Sequence, residues 1–435
     1  PRARGPVRHR PGGGGVTGPA GTAGGLAAFT RLPAEDRALA ARLRPIEDPA
    51  ELARAAVAEG AARGLAFTAA EVEALMHENR HGFLMHPVPL LPLPLRPDPV
   101  DPFPTRPLPL LQGGGPASLL AGWTPFRAGW IDGEMTVDWC HLGPHRLTAP
   151  FFYETIAQAI GFPFNTAFRP RTRADDLAAL SPGPRPTGFI FHMARCGSTL
   201  AAQALAADPR TIVASEPGPV RTMLEAPRLA PLAPERADAW LAGIVNALAR
   251  PRFPGEDRVF VKFMAADVLD LRRIQRVFPD VPWLFLYRDP LEILASQLRR
   301  GGADTIPGAI PPHLLGLAPD EVFAMDRKVY QLTAMAAYGQ AALDGLARAP
   351  GRGRVLRYDD LPDGLWPVFA EHFGLDPALP GFAAMRAVAG RHSKTGAAFA
   401  PDGAAKRAEA AEWRQAAGRI VGPVLAALDA ARDRS

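Results

Sequence analysis

Residues 188–200 read Gly188-Phe-Ile-Phe-His-Met-Ala-Arg-Cys-Gly-Ser-Thr-Leu200. Their aromatic and aliphatic run, 188–193, has the length and composition of a buried strand. A short loop holding Arg195, Cys196, Gly197, Ser198 and Thr199 follows, and a helical pattern starts at Leu200. A strand that turns through small residues into a helix leaves the first N–H groups of that helix without partners. The helix dipole then favours negative charge in front of them. Ser198 and Thr199 add hydroxyl donors, and Arg195 adds a planar, permanently charged fork suited to phosphate or sulfate. The segment therefore predicts an anion cradle. Cys196 within it reads either as a reactive thiol or as a small residue filling a tight turn.

The nucleotide-triphosphatase loop, Gly-x-x-x-x-Gly-Lys-Ser/Thr, is not met. The cation, Arg195, precedes Gly197 instead of following it, and Leu200 follows Thr199. A kinase or triphosphatase would also need a strand-end aspartate for Mg²⁺, whereas the later strand 283–287 runs into Arg288. That enzyme class remains the alternative catalytic reading. A nucleotide-binding fold that only recognises a partner is the non-catalytic one.

Strand patterns at 188–193, 211–214, 258–263, 283–287 and 354–358 alternate with helical patterns at 199–207, 235–249, 265–277, 290–299, 320–348 and 364–373. This alternation predicts a three-layer α/β/α, P-loop-like fold over residues 186–435, with a central parallel sheet. The stretch Trp283-Leu-Phe-Leu-Tyr287-Arg288-Asp289-Pro290 ends a buried strand in arginine and opens a helix with proline. Ser296, eight residues after Arg288, lies about two turns into that helix. An arginine at a strand's carboxyl end with a nearby hydroxyl suits a second phosphate.

Together these segments resemble the sulfotransferase superfamily, which uses 3′-phosphoadenosine 5′-phosphosulfate (PAPS) as donor. Arg195-Cys-Gly197-Ser198-Thr199-Leu200 is similar to its 5′-phosphosulfate loop, commonly Arg/Lys-Ser-Gly-Thr-Thr-Leu. Arg288 to Ser296 is similar to its 3′-phosphate signature, and Arg357-Tyr358-Asp359-Asp360-Leu361 to its Tyr-Glu-Asp-Leu segment, whose tyrosine lies near the nucleotide. The resemblance spans about 186–400. It implies sulfuryl transfer from PAPS to a hydroxyl or amine of an acceptor, with no metal. Arg195 and the loop amides would stand on the leaving-group side. Cytosolic small-molecule members carry a histidine two residues after a strand lysine; here Lys262 supplies the lysine and Met264 stands in the histidine's place. Glu216, 21 residues past Arg195, matches the glutamate base of tyrosylprotein and several bacterial sulfotransferases. It can serve as general base if its pKa rises toward neutrality; otherwise it is a surface carboxylate. Lys262 emerges from an apolar strand, where an anion partner is expected because a buried unpaired lysine is costly. Ser393 and Lys394, in the basic segment 391–396, resemble the late segment that closes over the nucleotide; a solvated loop is the other reading. His192 reads as a packed, hydrogen-bonded histidine.

Upstream, residues 1–28 are Gly-, Pro- and Arg-rich and read as a disordered tail. Residues 29–80 predict a small helical module: a helix over 34–43, a second capped by Asp48-Pro-Ala-Glu51 and ended at Gly64, and a third opened by the capping box Thr68-Ala-Ala-Glu71 and running through Asn79. The module resembles the leader-like domain of Nif-eleven-type bacterial leader peptides, at Phe29, Asp36, Leu39, Leu43, Asp48, Glu51, Leu52, Gly64, Phe67–Glu73 and Leu75. That resemblance implies a recognition handle in peptide natural-product pathways, and hence a peptide or peptide-derived acceptor; a small hydroxylated metabolite is the alternative. Residues 81–115 form a linker, with ten prolines between Pro87 and Pro109, for which polyproline II is the natural state. Residues 116–185 are an aromatic-rich accessory segment expected to bury Trp123, Phe126, Trp130, Trp139, Phe151, Phe152 and Tyr153 on the domain that follows.

The 435 residues carry a net charge of +5, 47% apolar residues and two cysteines, Cys140 and Cys196. The charge suits an anionic ligand and is too small and dispersed for nucleic acid. Two cysteines build neither a disulfide framework nor a multi-cysteine metal site. No apolar run spans a bilayer and no signal-peptide core is present, so the expectation is a cytoplasmic protein without membrane contact. The chain begins at Pro1, so the natural start is expected upstream. Nothing in the sequence fixes an oligomeric state.

Overall fold

The computed structural model describes residues 22–84, 110–111, 119–299, 305–389 and 403–434. The chain opens with α1 (Thr22–Phe29), α2 (Leu32–Glu35), α3 (Arg37–Leu43), α4 (Pro49–Ala61) and α5 (Ala69–Leu84). Helix therefore extends back to Thr22, where the composition suggests an irregular tail to residue 28; the buried Leu26 and Phe29 give α1 an apolar side to pack. The expected helix 34–43 is broken at Asp36, whose carboxylate accepts the Leu39 N–H at 2.9 Å and caps α3. Asp48 caps α4 through the Glu51 N–H at 2.7 Å. Thr68 and Glu71 form the reciprocal capping box of α5, at 2.8 and 3.2 Å.

These helices do not stand alone. They pack on α7 (Pro163–Ala167) and, through Trp123, reach a small sheet of β1 (Leu110–Leu111), β2 (Trp123–Ile131), β3 (Glu134–His141) and β4 (Arg171–Arg173), against which α6 (Phe152–Ile160) lies. The sheet order is β1-β4-β3-β2, and the β1–β4 pairing is parallel. The end of the proline-rich linker thus docks as an edge strand. Phe29 meets Phe168 at 5.9 Å between ring centroids, and the Trp123 indole donates to the Pro33 carbonyl at 3.3 Å. The accessory aromatics therefore bury on both sides. Trp123 faces the N-terminal helices, and Trp130 packs on Trp240 of the following domain at 5.8 Å. Tyr153 departs from the expectation and is 44% exposed.

The larger unit contains β5 (Gly188–His192), α8 (Ser198–Ala206), β6 (Thr211–Ser215), α9 (Gly218–Leu229), α10 (Pro234–Leu248), β7 (Arg258–Lys262), α11 (Leu271–Val277), β8 (Trp283–Tyr287), α12 (Pro290–Arg299), α13 (Pro319–Ala324), α14 (Arg327–Arg348) and β9 (Gly353–Arg357). After them come α15 (Leu365–Pro367), α16 (Pro380–Ala389), α17 (Gly403–Glu409), α18 (Arg414–Ile420) and α19 (Gly422–Arg432). All five strands are parallel, in the order β6-β7-β5-β8-β9. Side-chain alternation on β5 separates two cores. Ile190 faces Ala201, Leu205 and Phe369 on one side, while Phe189 and Phe191 join the core of α9, α14 and α19 on the other. The result is the expected three-layer α/β/α sandwich. The expected helix 320–348 is interrupted because Asp326 accepts the N–H groups of Lys328 and Val329, ending α13 and starting α14. No described helix is long and apolar enough to cross a membrane.

Candidate functional site

In the order β6-β7-β5-β8-β9 the chain moves from β5 to one side of the sheet and later to the other. A crevice therefore opens beyond the carboxyl ends of β5, β7 and β8, where doubly wound folds place their ligands. The loop at the end of β5 takes two left-handed turns, Arg195 at φ +60° and Gly197 at φ +87°. Left-handed residues in so short a loop turn successive N–H groups toward one concavity. Glycine is required at 197, since a Cβ there would collide with Leu361 and crowd Tyr358. Ser198 and Thr199 are buried in the first turn of α8, and Leu200 continues it through an N–H to the Gly197 carbonyl at 2.9 Å. Cys196 is fully buried among Ile190, Ala201 and Leu284, which favours the filler reading over a reactive thiol.

The second motif reaches the first by direct contact. Arg195 Nε donates to Ser296 Oγ at 2.7 Å, and Arg288 Nη1 donates to the Arg195 carbonyl at 3.1 Å. Arg288 is buried, ion-paired to Glu292 at 2.6 Å, and stacked 3.6 Å from the centroid of Tyr358. Asp289 is engaged in capping α12 through the Leu291 N–H at 2.8 Å. Glu292 also binds Arg407, which brings α17 onto α12. Sequence reasoning missed Glu292 and Arg407. The i,i+4 spacing from Arg288 signals the first, whereas the second is 115 residues distant.

A buried charge cluster borders the loop. The register sets Ser215 beside Lys262, so Glu216, the next residue, reaches the end of β7, and its N–H donates to the Lys262 carbonyl at 2.6 Å. Lys262, whose side chain is 1% exposed, forms an ion pair with Glu216 and lies 5.1 Å from the centroid of Phe151. The anion partner expected for Lys262 is thus a protein carboxylate. His192 Nε2 approaches Glu216 at 3.5 Å and the Phe263 carbonyl at 3.0 Å, while Nδ1 faces the Met193 carbonyl at 2.8 Å. Two carbonyl acceptors require both ring nitrogens to carry protons, so His192 is an imidazolium here. Burial works against that charge, but hydrogen bonds to Cys196 and Glu216 outweigh it and raise the pKa to about 9. Burial likewise works against the Glu216 carboxylate, yet Lys262 and His192 together hold its pKa down, at about 2. This corrects the expectation for Glu216. Its pKa is not raised toward neutrality but lowered, because the two cations reward its ionised form. Its backbone sits at φ +58°, an unfavourable region for a residue with a side chain, and one often occupied at functional sites.

Ser393 and Lys394 lie outside the described residues. The other site residues read from the sequence come together at the strand ends.

The cluster has a consequence for stability. His192 gains a proton on folding, so its contribution is complete below about pH 6.5 and lost as pH rises through about 9. Glu216 sheds one, so its contribution is complete above about pH 4.5 and lost as pH falls toward 2. Urea midpoints are expected to fall steadily between pH 7 and 9, and His192→Gln is expected to flatten that limb whatever its effect on the plateau. An unchanged slope in the variant would show that His192 is not the titrating group.

No family model matches the chain, and no curated protein does. Among solved structures, the chain is similar to a sulfotransferase from Alicyclobacillus acidocaldarius, with 15% identity over 58% of this chain and 97% of that one, at a TM-score of 0.35. It is similar to the sulfotransferase domain of the curacin biosynthetic pathway, with 19% identity over 46% and 77% of the two chains, at a TM-score of 0.32. It is also similar to the sulfotransferase domain of the Synechococcus PCC 7002 olefin synthase, with 17% identity over 54% and 89%, at a TM-score of 0.31.

Proposed function

We propose that this protein is a sulfotransferase moving a sulfuryl group from PAPS to a hydroxyl of an acceptor molecule. The observation that carries this reading is the 2.7 Å bond between Arg195 and Ser296, joined by the 3.1 Å bond from Arg288 to the Arg195 carbonyl. Two motifs about ninety residues apart are thereby joined at the strand ends, with two arginines side by side. The loop amides, Arg195, Ser198 and Thr199 suit the phosphosulfate end of the donor. Arg288, Ser296 and Tyr358 suit its 3′-phosphate end. The collision that a Cβ at Gly197 would suffer with Leu361 ties the loop closely to the segment that carries Tyr358.

Sulfuryl transfer asks the protein for alignment and charge stabilisation rather than covalent chemistry, as phosphoryl transfer does. Arg195 would neutralise charge on the bridging oxygen as the bond to the nucleotide breaks. Lys262 would face the sulfuryl oxygens. In the free protein Lys262 is engaged by Glu216, and each cation taken from Glu216 makes its carboxylate more basic. Donor binding that draws Lys262 toward the sulfuryl group would therefore raise the basicity of Glu216 when an acceptor hydroxyl needs its proton removed.

The test is transfer of radiolabelled sulfate from PAPS to a panel of hydroxylated peptides and small metabolites, beside an identical panel with labelled ATP and Mg²⁺. Sulfate incorporation that is lost in Arg288→Ala is the expected result. Phosphate incorporation would favour a kinase, and PAPS binding with no transfer to any acceptor would favour a partner-recognition protein.

A further inference from the structure

A second concentration of buried positive charge lies away from the strand ends, where the N-terminal helices meet the small sheet. Arg44, at the end of α3, lays its guanidinium over the Phe162 ring, 4.8 Å from the centroid. It presses against Gly143, where any side chain would collide with it. Arg44 is 9% exposed, its Nε and Nη2 are buried without a hydrogen bond, and no carboxylate pairs with it among the described residues. Arg252, half-buried in the segment before β7, reaches the same loop. Its Nη1 donates to the His145 carbonyl at 2.8 Å, and the His145 ring lies 5.9 Å from Phe162. Arg169, also buried, stands nearby, and the fields of all three arginines meet at Cys140.

The neighbouring groups balance this charge only in part: the field of Glu256 acts on Arg252, and no close carboxylate faces Arg44 among the described residues. Glu256 is held by Arg146 at 3.2 Å and by the N–H groups of Arg252 and Phe253. Asp138 is held by Arg127 and Arg171. The Cys140 thiol is pushed up to about 12 by burial and is neutral. His141 accepts the Gly143 N–H on Nδ1 at 3.1 Å, and burial takes its pKa down to about 4, so it is neutral too. The exposed Glu47 is the one carboxylate whose field acts on Arg44. Removing a guanidinium from water without a partner is costly, and burial lowers the pKa of Arg44 and brings that of Arg252 down to about 10.

We propose that the seam between α3, the 142–146 loop and the segment before β7 binds a small tetrahedral oxyanion, phosphate or sulfate, through Arg44 and Arg252. Planar guanidinium forks match such an ion in geometry and charge. Because Arg44 belongs to the N-terminal helices and Arg252 to the larger unit, the ion clasps the two together.

The experiment is thermal unfolding of the full chain in the Arg195→Ala background, which weakens the strand-end cradle as a competing anion site. Inorganic phosphate, inorganic sulfate and ADP are titrated against chloride at matched ionic strength. The melting midpoint should rise by about 2–4 °C as the binding ion saturates the site. That rise should be lost in Arg44→Met, which keeps the packing stem and removes the fork, and in Arg252→Gln should Arg44→Met fail to fold. A response to inorganic ions alone assigns a free ion; a response to ADP assigns the phosphoryl end of a nucleotide. No anion-specific rise, or an equal rise in parent and variants, overturns the proposal.

Discussion

Arg195→Ala is expected to lower sulfuryl transfer by about 10²–10³-fold, the usual effect of deleting one preorganised donor from a site of developing charge. The side chain does two things at once. In the proposed reaction its guanidinium would supply positive charge where the bond to the nucleotide breaks, while its Nε holds Ser296 at 2.7 Å. Loss should appear in both kcat and the KM for PAPS, because the second role concerns binding and the first concerns the transition state. Arg195→Lys should recover only part of the activity, since an ammonium keeps the charge but not a fork that can serve Ser296 and an anion together. Steady-state kinetics with PAPS varied at fixed acceptor separates these effects. A fully active Arg195→Ala protein would remove the loop from the mechanism.

The fold was legible where the signal is local. β5 and β8 are uninterrupted apolar runs, and each ends in a motif that itself requires a helix start, so both boundaries fall within a residue or two of expectation. Short carboxylates misled the pattern where they occur inside helical periodicity. Asp36 and Asp326 preserve the apolar spacing around them yet divert backbone N–H groups, so each splits one expected helix in two. α9 was hidden by Pro219 and Pro227. Pro219 stands in the first turn, where its missing N–H costs nothing, and Pro227 near the end, so neither prevents the helix.

The candidate site divides along the same line. Arg195, Arg288 and Ser296 could be found because motif spacing is a property of the chain. The state of Glu216 could not. Its partner Lys262 is 46 residues away, and only the parallel register of β6 against β7 brings them together. Sequence places a carboxylate near a pocket, but the sign of its pKa shift belongs to neighbours delivered by the sheet. The N-terminal helices make the same point. Their motifs resemble a recognition handle, and the partners that bury Phe29, namely Phe168 and the core shared with Trp123, come from far along the chain.

Glu216→Gln is expected to lower kcat by about 10²–10⁴-fold with little change in the acceptor KM, as removal of a general base does. A fall in rate alone would not separate proton removal from support of Lys262, because the two side chains form one ion pair. The pH–rate profile separates them. In the native protein Lys262 and His192 hold the Glu216 pKa near 2, so its deprotonation should leave no acid limb in kcat/KM above about pH 4. Lys262→Met removes the larger of these two electrostatic supports, and the carboxylate then becomes easier to protonate. The acid limb should move up toward the ordinary carboxylate range or beyond it while the maximal rate falls. The double variant should be little worse than the poorer single one, because residues acting on one proton transfer do not add. An acid limb that stays in place in Lys262→Met would remove Glu216 as the base and leave it the role of holding Lys262 until the donor arrives.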